Sequence, residues 1–305
     1  MGGDPQNGRC WVRRSLSAIR AALIQCGYRL SRGTIRRLLQ KHGIRPKSNR
    51  KRLKTTANPQ RDAQFQYIQR QIEAFKWLEQ PIISVDTKKR ELIGNFAQSG
   101  QVWCAQAMDV NMYDFASQAL GQAIPYGIYD IQYNDGYVGI GHSVDTAEFA
   151  VDVIEQWWKT IGRQRYPHAT DILILCDGGG SNGYRTRLWK QQLQLKLADG
   201  QGLTVSVAHY PSGASKWNPI EHRLFSQISQ TWAGTPLTSF ERLIAGIRQT
   251  TTTTGLAVSA RFVETIYHKG IHISDSEMNM LDIEWHTICP QWNYTLTTRE
   301  TGICS

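Results

Sequence analysis

Short apolar runs along the chain predict five strands. An apolar run of this length is typical of a strand, and a run that is apolar at every position is typical of one covered on both faces. The runs cover 81–86, 124–133, 137–142, 172–176 and 203–209. The second and third run flank Asn134, Asp135 and Gly136, and an Asp-Gly pair between two strands predicts a hairpin turn. Residues 91–120 show no clear period and predict an irregular excursion or hairpin.

Other segments repeat their apolar residues every three to four positions, which predicts amphipathic helices. The predicted helices cover 17–26, 31–42, 61–80, 145–161 and 184–199, and a further helix begins at 218. Asp145 and Glu148 form a predicted capping box. The order in the second part of the chain is three strands, helix, strand, helix, strand, loop and helix. It predicts an α/β fold with a ribonuclease H-like mixed sheet flanked by helices.

Charge is concentrated at the N-terminus. The chain of 305 residues has a net charge of +10, and residues 1–56 contain 15 Lys or Arg but a single acid, Asp4. Within this stretch, two short helices joined by a glycine-containing turn predict a helix-turn-helix, with Ile35, Leu38 and Leu39 facing inward. We expect a small all-α helix-turn-helix region at 1–44, a basic linker at 45–60 and a catalytic domain with a C-terminal extension at 61–305.

Basic side chains in these regions predict contacts with DNA phosphates. The candidates are Arg32, Arg36, Arg37, Lys41, Arg45, Lys47, Arg50, Lys51, Arg52, Lys88, Lys89 and Lys216. A solvated tail or a basic tether is the alternative for the first 56 residues, and a solvated turn is the alternative for Lys88 and Lys89. Two short helices bury little apolar surface. We therefore expect the helix-turn-helix to be incomplete at its N-terminus and to discriminate weakly between DNA sequences.

Several classes of protein are excluded by what the sequence lacks. It has no apolar run of 18 residues and no apolar segment behind its N-terminal arginines, so we expect neither a membrane span nor a secretory signal. Its six cysteines are scattered without a C-x-x-C pair, which indicates neither a zinc site nor a disulfide framework. A soluble intracellular protein is the expectation.

Three acidic residues stand where a two-metal phosphoryl-transfer site needs them. Asp86 and Asp177 each end a predicted strand, and Glu221 lies in the first turn of a predicted helix. Carboxylates at strand ends meet at one edge of an open sheet, where two divalent ions would offset their repulsion. Taken singly, Asp86 and Asp177 are explained as caps of strands or turns, and Glu221 as the partner of Asn218 in a helix cap. Three such residues in this order favour the metal site.

Longer motifs carry a family resemblance from about residue 3 to the C-terminus. The motif at 177–183 reads Asp-Gly-Gly-Gly-Ser-Asn-Gly, and the motif at 218–221 reads Asn-Pro-Ile-Glu. Together with 84–96, 123–130, 215–226 and 291–294, these segments resemble the ISAzo-type insertion-sequence transposases of the DDE superfamily. The motif at 218–221 is also similar to the last motif of mariner-type transposases.

The resemblance implies an enzyme that cleaves DNA at element ends and transfers the strands to target DNA. It implies that Asp86, Asp177 and Glu221 are catalytic and hold two Mg²⁺ or Mn²⁺ ions, with Asp86 bridging both. The implied partners are double-stranded DNA, as terminal repeats and as target, and further copies of the chain on DNA. No membrane and no small-molecule cofactor are implied. The implied location is the bacterial cytoplasm, in association with the nucleoid.

Two other functions stay open on the sequence alone. A ribonuclease H-like nuclease or resolvase would use the same carboxylates without joining strands. A noncatalytic DNA-binding remnant would use the basic N-terminal region only. A glycosidase also uses paired carboxylates, but the basic arm disfavours it. For His209 and His222, which lie near the third carboxylate in sequence, a structural role is favoured over a catalytic one.

Overall fold

The chain divides into two compact units, residues 1–54 and residues 55–305. The computed structural model describes residues 2–3, 10–11, 14–46 and 59–299. Most of the linker predicted at 45–60 lies outside these ranges. In the part of the chain that is described, no helix combines the length and apolar character that crossing a membrane requires.

The first unit contains two helices of ten residues each. Its elements are β1 (Gly2–Gly3), β2 (Cys10–Trp11), α1 (Leu16–Gln25) and α2 (Arg32–Lys41), and the two short strands pair antiparallel. Ser15 and Ser31 cap the helices, because each hydroxyl accepts a hydrogen bond from the backbone N–H three residues later. The first helix thus begins one residue before its predicted start, and the second begins as predicted.

Glycine ends both of these helices. Gly43 adopts φ +72°, a conformation that favours glycine, and the N–H of Ile44 donates to the carbonyl of Leu39 at 2.8 Å. Among the side chains of the two helices, Ile35 is the buried one. Leu38 was predicted to face inward, but 44% of its surface is exposed.

The second unit is built on a single sheet of nine strands, counted over its described residues. The strands are β3 (Ile82–Thr87), β4 (Glu91–Ile93), β5 (Gly121–Asp130), β6 (Asp135–Gly141), β7 (Asp171–Cys176), β8 (Thr204–His209), β9 (Ala257–Phe262), β10 (Ile283–Trp285) and β11 (Asn293–Leu296). The helices are α3 (Arg61–Trp77), α4 (Ala147–Trp157), α5 (Arg163–Arg165), α6 (Arg187–Leu193), α7 (Ser226–Thr231), α8 (Phe240–Arg248) and α9 (Asp275–Asn279).

The strand order is β10-β11-β8-β7-β3-β5-β6-β9, and β4 pairs with β5 outside this row. The strands β3, β7 and β8 are parallel, whereas β5 runs antiparallel to both β3 and β6. The central order β6-β5-β3-β7-β8, with β5 alone reversed, is the ribonuclease H-like arrangement. The predicted ribonuclease H-like fold of the second unit is therefore confirmed, whereas the first unit, predicted to be all-α, also contains the short strands β1 and β2.

Helices cover both faces of the sheet. On one face, Ile83 and Val85 of β3 belong to the apolar core that includes α4 and α6. On the other face, Ile82 packs with α3, while α7 and α8 cover the part formed by β5, β6 and β9. Alternate residues of β3 thus face opposite layers, as the period of two in a strand requires.

The predicted hairpin forms, but its turn lies elsewhere. Asp130 pairs with Asp135, so the turn comprises residues 131–134 and Asn134 adopts φ +54°. Asp135 and Gly136, the predicted turn residues, already belong to β6. Asn tolerates the left-handed conformation, which allows Asn134 to close the turn.

The C-terminal extension adds strands that the sequence pattern did not predict. The strand β9 pairs in parallel with β6 at one edge of the sheet, and β11 pairs antiparallel with β8 toward the other. Both pairings join segments that are far apart along the chain, so no local pattern specifies them.

Candidate active site

Two of the three candidate carboxylates lie side by side at the carboxyl ends of two neighbouring strands. The strands β3 and β7 are parallel neighbours in which Ser84 pairs with Leu175. Because two parallel strands rise at the same rate, continuing this register by two residues places Asp86 opposite Asp177. Residues two apart share a face of a strand, so Asp86 lies on the face of Ser84.

The carboxyl group of Asp86 lies in a buried and acidic environment. Burial and then the charges of Asp177, Glu221 and Asp145 raise the pKa of Asp86 to about 8, while a hydrogen bond from the N–H of Thr87 at 2.7 Å opposes the rise. Carboxylates that interact this strongly cannot all ionise at neutral pH without a compensating cation.

A glycine-rich loop follows Asp177 directly. Burial raises the pKa of Asp177, and the N–H of Gly179, which donates to its Oδ1 at 3.2 Å, opposes the rise. Gly180 adopts φ +71°, and a Cβ built at Gly179 would meet no atom within 4 Å. The loop is therefore open to solvent at Gly179.

Glu221 lies near the start of a helical segment that begins at Pro219, continues through Glu221–Phe225 and runs into α7. The alternative explanation paired Glu221 with Asn218 as a helix cap. In the structure, the Asn218 side chain instead bonds to β3: its Oδ1 accepts from the Ser84 hydroxyl at 2.5 Å. The capping interpretation is wrong for Asn218, because its amide is engaged with the strand that carries Asp86.

Asp145 is a fourth acidic residue near Asp86, and it is not among the candidate ligands that the sequence predicts. It was interpreted as the cap of α4, but the cap is Thr146, whose hydroxyl accepts from the N–H of Phe149 at 3.2 Å. The Asp145 carboxylate instead accepts a hydrogen bond from the Thr87 hydroxyl at 3.3 Å. Its position at the start of the first helix after the hairpin was the available signal.

The donor atoms suit a hard divalent ion. Asp86, Asp177 and Glu221 offer carboxylate oxygens, which are the ligands that Mg²⁺ and Mn²⁺ prefer. Over the described ranges, no group of three or more His, Cys, Asp or Glu side chains is arranged to enclose an ion. Mg²⁺ is commonly bound by one or two carboxylates together with water and substrate phosphate, so an open arrangement also fits it.

The side chain of Lys88 lies in a different setting from the one expected of a phosphate contact. Its ammonium is buried, donates to Glu91 at 2.6 Å and lies 4.7 Å from the ring centre of Trp232. The Lys88 charge is thus neutralised inside the protein. Lys89 is exposed, and Lys216 is exposed with its ammonium 5.1 Å from the ring centre of Trp217.

The basic side chains of the first unit are on its surface. Arg32, Arg36, Arg37 and Lys41 are exposed on α2, and Arg45 is exposed after it. Lys47, Arg50, Lys51 and Arg52 lie outside the described residues.

The two histidines near the third carboxylate contact backbone oxygens. His209 is fully buried, with its ring nitrogens 3.0 Å from the carbonyl oxygens of Trp292 and Asn182, and burial lowers its pKa to about 4. His222 is exposed, and its Nε2 contacts the carbonyl of Lys216. These contacts support a structural role for His209.

A match over nearly the whole chain decides the family. The family model described as the Rhodopirellula transposase DDE domain matches residues 1–298. The chain belongs to this family. It is therefore a DNA transposase of the DDE type, as the sequence resemblance implied, and enzymes of this type use divalent metal ions. No curated protein matches the chain.

Solved structures of the Mos1 transposase show a weak likeness to this transposase. A Mos1 paired-end complex with the left transposon end is 14% identical with a TM-score of 0.45, covering 78% of this chain and 71% of that chain. The Mos1 strand transfer complex gives 14%, 0.45, 79% and 71% for the same measures. A Mos1 mariner paired end complex with Mn gives 14%, 0.43, 80% and 78%.

Proposed function

We propose that this transposase cuts DNA at the ends of its element and joins the freed ends to target DNA, with two divalent ions held by Asp86, Asp177 and Glu221. The observation that supports this proposal most is the convergence of acidic side chains on Asp86, at the edge where two parallel strands end. In this proposal Asp86, Asp177 and Glu221 would be the ligands of the two ions, with Asp86 shared between the roles of Asp177 and Glu221, as the family resemblance implies. Bound Mg²⁺ or Mn²⁺ supplies an activated water and stabilises charge on the phosphate.

The protein contributes the ligands and the proton balance of the site. A carboxylate binds a metal in its ionised form, so Asp86, whose pKa is raised to about 8, would have to release a proton to serve as a ligand. The open space at Gly179 gives a DNA strand room to approach Asp177. The adjacent strands hold Asp86 and Asp177 on a rigid sheet.

The proposed reaction has two balanced steps. In the first, a water oxygen attacks the phosphorus at the element end, the bond from phosphorus to the 3′ oxygen breaks, and that oxygen gains a proton to become a 3′-hydroxyl. In the second, this hydroxyl loses its proton and its oxygen bonds to the phosphorus of a target phosphodiester, the bond from that phosphorus to the 3′ oxygen of the target strand breaks, and the displaced 3′ oxygen takes up a proton. Neither step forms a covalent bond to the protein.

DNA binding is assigned to the basic parts of the chain. We assign recognition of the terminal repeats to the helix-turn-helix region 1–44, and phosphate contacts to the linker 45–60 and to Lys89 and Lys216 of the catalytic domain 61–305. The exposed arginines of α2 support this assignment. Because an element has two ends, we propose that the transposase acts as a homo-oligomer on double-stranded DNA, in association with the nucleoid.

The proposal predicts that each candidate ligand is indispensable for strand cleavage. Asp86→Asn, Asp177→Asn and Glu221→Gln should each lower Mg²⁺-dependent cleavage of DNA carrying the element ends by more than about 100-fold, the upper range for groups that only support a metal ligand. DNA binding should persist, because these residues are separate from the basic region. Gel assays of nicking and joining, run beside DNA-binding assays, measure both effects.

Two outcomes would contradict the proposal in different ways. Cleavage without joining to target DNA would identify a nuclease or resolvase. Normal cleavage by Glu221→Gln, together with a lower melting temperature, would show that Glu221 is structural and that the third ligand lies elsewhere. Ser206→Ala, on β8 and away from the acidic residues, serves as the control for general loss of stability.

A further inference from the structure

Two fully buried polar side chains connect the strand of Asp86 to the segment of Glu221. Ser84 donates to Asn218 Oδ1 at 2.5 Å and accepts from the backbone N–H of Ile220 at 3.1 Å. The Asn218 amide donates to the carbonyl of Val85 at 3.3 Å. We call these three hydrogen bonds the Ser84–Asn218 bridge. They join residues more than 130 positions apart in sequence.

The Ser84–Asn218 bridge replaces an ordinary helix cap. Pro219 has no N–H, so the first N–H of the helical segment belongs to Ile220. A capping side chain normally comes from the residue that precedes the helix, which here is Asn218. Asn218 bonds to β3 instead, and the hydroxyl of Ser84 accepts from Ile220 in its place. The start of this helix is thus fixed to the sheet and not to its own chain.

Close packing on the neighbouring strand holds the same segment. Gly127 of β5 pairs with Asp86, and a Cβ at Gly127 would lie 2.4 Å from Phe225 and 3.0 Å from Ile220. Glycine therefore lets the helical segment approach the sheet directly beside Asp86. Apolar contact alone is non-directional and permits sliding, whereas the hydrogen bonds of the bridge require a fixed geometry.

The Ser84–Asn218 bridge is close in sequence to two proposed metal ligands. Ser84 is two residues before Asp86 and on the same face of β3, and Ile220 immediately precedes Glu221. We propose that Ser84 and Asn218 are positioning residues that fix the distance between the carboxylates of Asp86 and Glu221. This inference rests on the proposed function. It gives Asn218, in the Asn-Pro-Ile-Glu motif, a role that does not involve touching DNA or metal.

The test compares metal affinity in variants that break the bridge with that of a matched variant that does not. Ser84→Ala and Asn218→Ala should each weaken binding of Mn²⁺ to the full-length protein by about 10- to 100-fold, the usual effect of losing a group that orients a ligand. The double variant should lose little more, because the two side chains act as one unit. Ser206→Ala removes another buried strand hydroxyl, which contacts Thr295 at 2.9 Å, and should bind Mn²⁺ normally.

Mn²⁺ titration followed by electron paramagnetic resonance measures affinity without requiring activity. The metal concentration for half-maximal cleavage should rise in parallel, and excess metal should restore part of the rate. Ser84→Thr keeps the hydroxyl and should remain near the wild type. A loss in Ser84→Thr as large as in Ser84→Ala would attribute the effect to packing and would overturn the inference.

Other results separate this inference from the proposed function. If Ser84→Ala and Asn218→Ala bind Mn²⁺ as tightly as Ser206→Ala does, the bridge does not position ligands, whatever their melting temperatures. If Ser84→Ala does not fold, Asn218→Ala, which removes the acceptor of the same hydrogen bond, decides the question. If Asp86→Asn and Glu221→Gln bind Mn²⁺ and cleave DNA normally, the metal site itself is misassigned.

Discussion

In the folded protein, burial and neighbouring acids favour the protonated form of Asp86, whereas a bound metal ion would favour its ionised form. An isolated Asp side chain has a pKa well below neutral pH. In the folded protein, burial and three neighbouring acids raise the pKa of Asp86 to about 8. The folded, metal-free protein therefore binds a proton at neutral pH that the unfolded chain does not. Metal binding and pH must consequently be coupled at this residue.

This coupling predicts a pH-dependent stability that Asp86→Asn removes. A carboxyl group whose pKa is raised on folding stabilises the fold fully below its unfolded value of about 4, and this stability is lost as the pH rises toward 8. Without metal, the melting temperature of Asp86→Asn relative to wild type should therefore increase from pH 5 to pH 8. Thermal unfolding in the presence of a chelator measures the difference.

Added Mg²⁺ provides the control for this experiment. Because the ion favours the ionised carboxylate, it should raise the melting temperature of the wild type at pH 8 more than that of Asp86→Asn. A difference between the two proteins that stays constant from pH 5 to pH 8 would show that Asp86 does not titrate in this range.

At the scale of single elements, α2 combines capping, burial and charge in ten residues. Ser31 begins the helix, Gly43 ends it, and Ile35 is its buried residue. The exposed surface carries Arg32, Arg36, Arg37 and Lys41. Such a helix has a clear polar and apolar side, and its charge is available to a polyanion.

The exposed arginines of α2 predict the salt dependence of DNA binding. Replacing Arg32, Arg36 and Arg37 by Ala should reduce the slope of log affinity against log salt by about 0.9 per lost phosphate contact. Titrations of fluorescent DNA measure the slope. They are carried out at salt concentrations between about 50 and 200 mM, over which phosphate contacts change the affinity strongly. The matched control replaces Lys76, Lys159 and Lys269, which are exposed in the second unit. An equal reduction in the control would show that the loss of slope is not specific to α2, and an unchanged slope in the α2 variant would contradict the assignment of DNA binding to this helix.

At the scale of the whole molecule, the second unit is closed by contacts between the beginning and the end of its chain. Gln64 of α3 and Asn293 of β11 exchange two side-chain hydrogen bonds, at 2.7 and 2.6 Å. Gln64 also donates to the carbonyl of His209 at 2.9 Å, and both amides are fully buried. The helix α3 and the strand β11 are thereby fixed to β8.

The buried Gln64–Asn293 pair predicts that removing one of its side-chain amides lowers the free energy of unfolding substantially. Asn293→Ala would leave the Gln64 amide partly unsatisfied, which should lower the free energy of unfolding by about 1–3 kcal/mol. Denaturant unfolding measures the change. Gln69→Ala, on the exposed side of the same helix, should change it by less than about 0.5 kcal/mol. A similar small change for Asn293→Ala would show that the Gln64–Asn293 pair contributes little to the stability of the fold.

The sequence by itself determined the elements whose information is local. Apolar periods, a Ser cap and a following Gly specify α2, and apolar runs specify β3, β7 and β8, because neighbouring residues decide these structures. The order of the elements then restricted the sheet to the ribonuclease H-like arrangement. The same local pattern placed Asp86 and Asp177 at strand ends. Position along the strand and register together bring them to one edge of the sheet.

The tertiary structure decided whatever depends on contacts between distant segments. The pairings of β9 with β6 and of β11 with β8 carry no local signal, since each strand meets a partner far away in sequence. Asp145 and Asn218 both resembled helix caps, and only their contacts with Thr87 and Ser84 assign them to the site. The sequence predicts a phosphate contact for Lys88, but in the structure an ion pair with Glu91 neutralises the charge of Lys88. A short polar motif is compatible with several partners, and the fold selects one because it sets which groups are buried together.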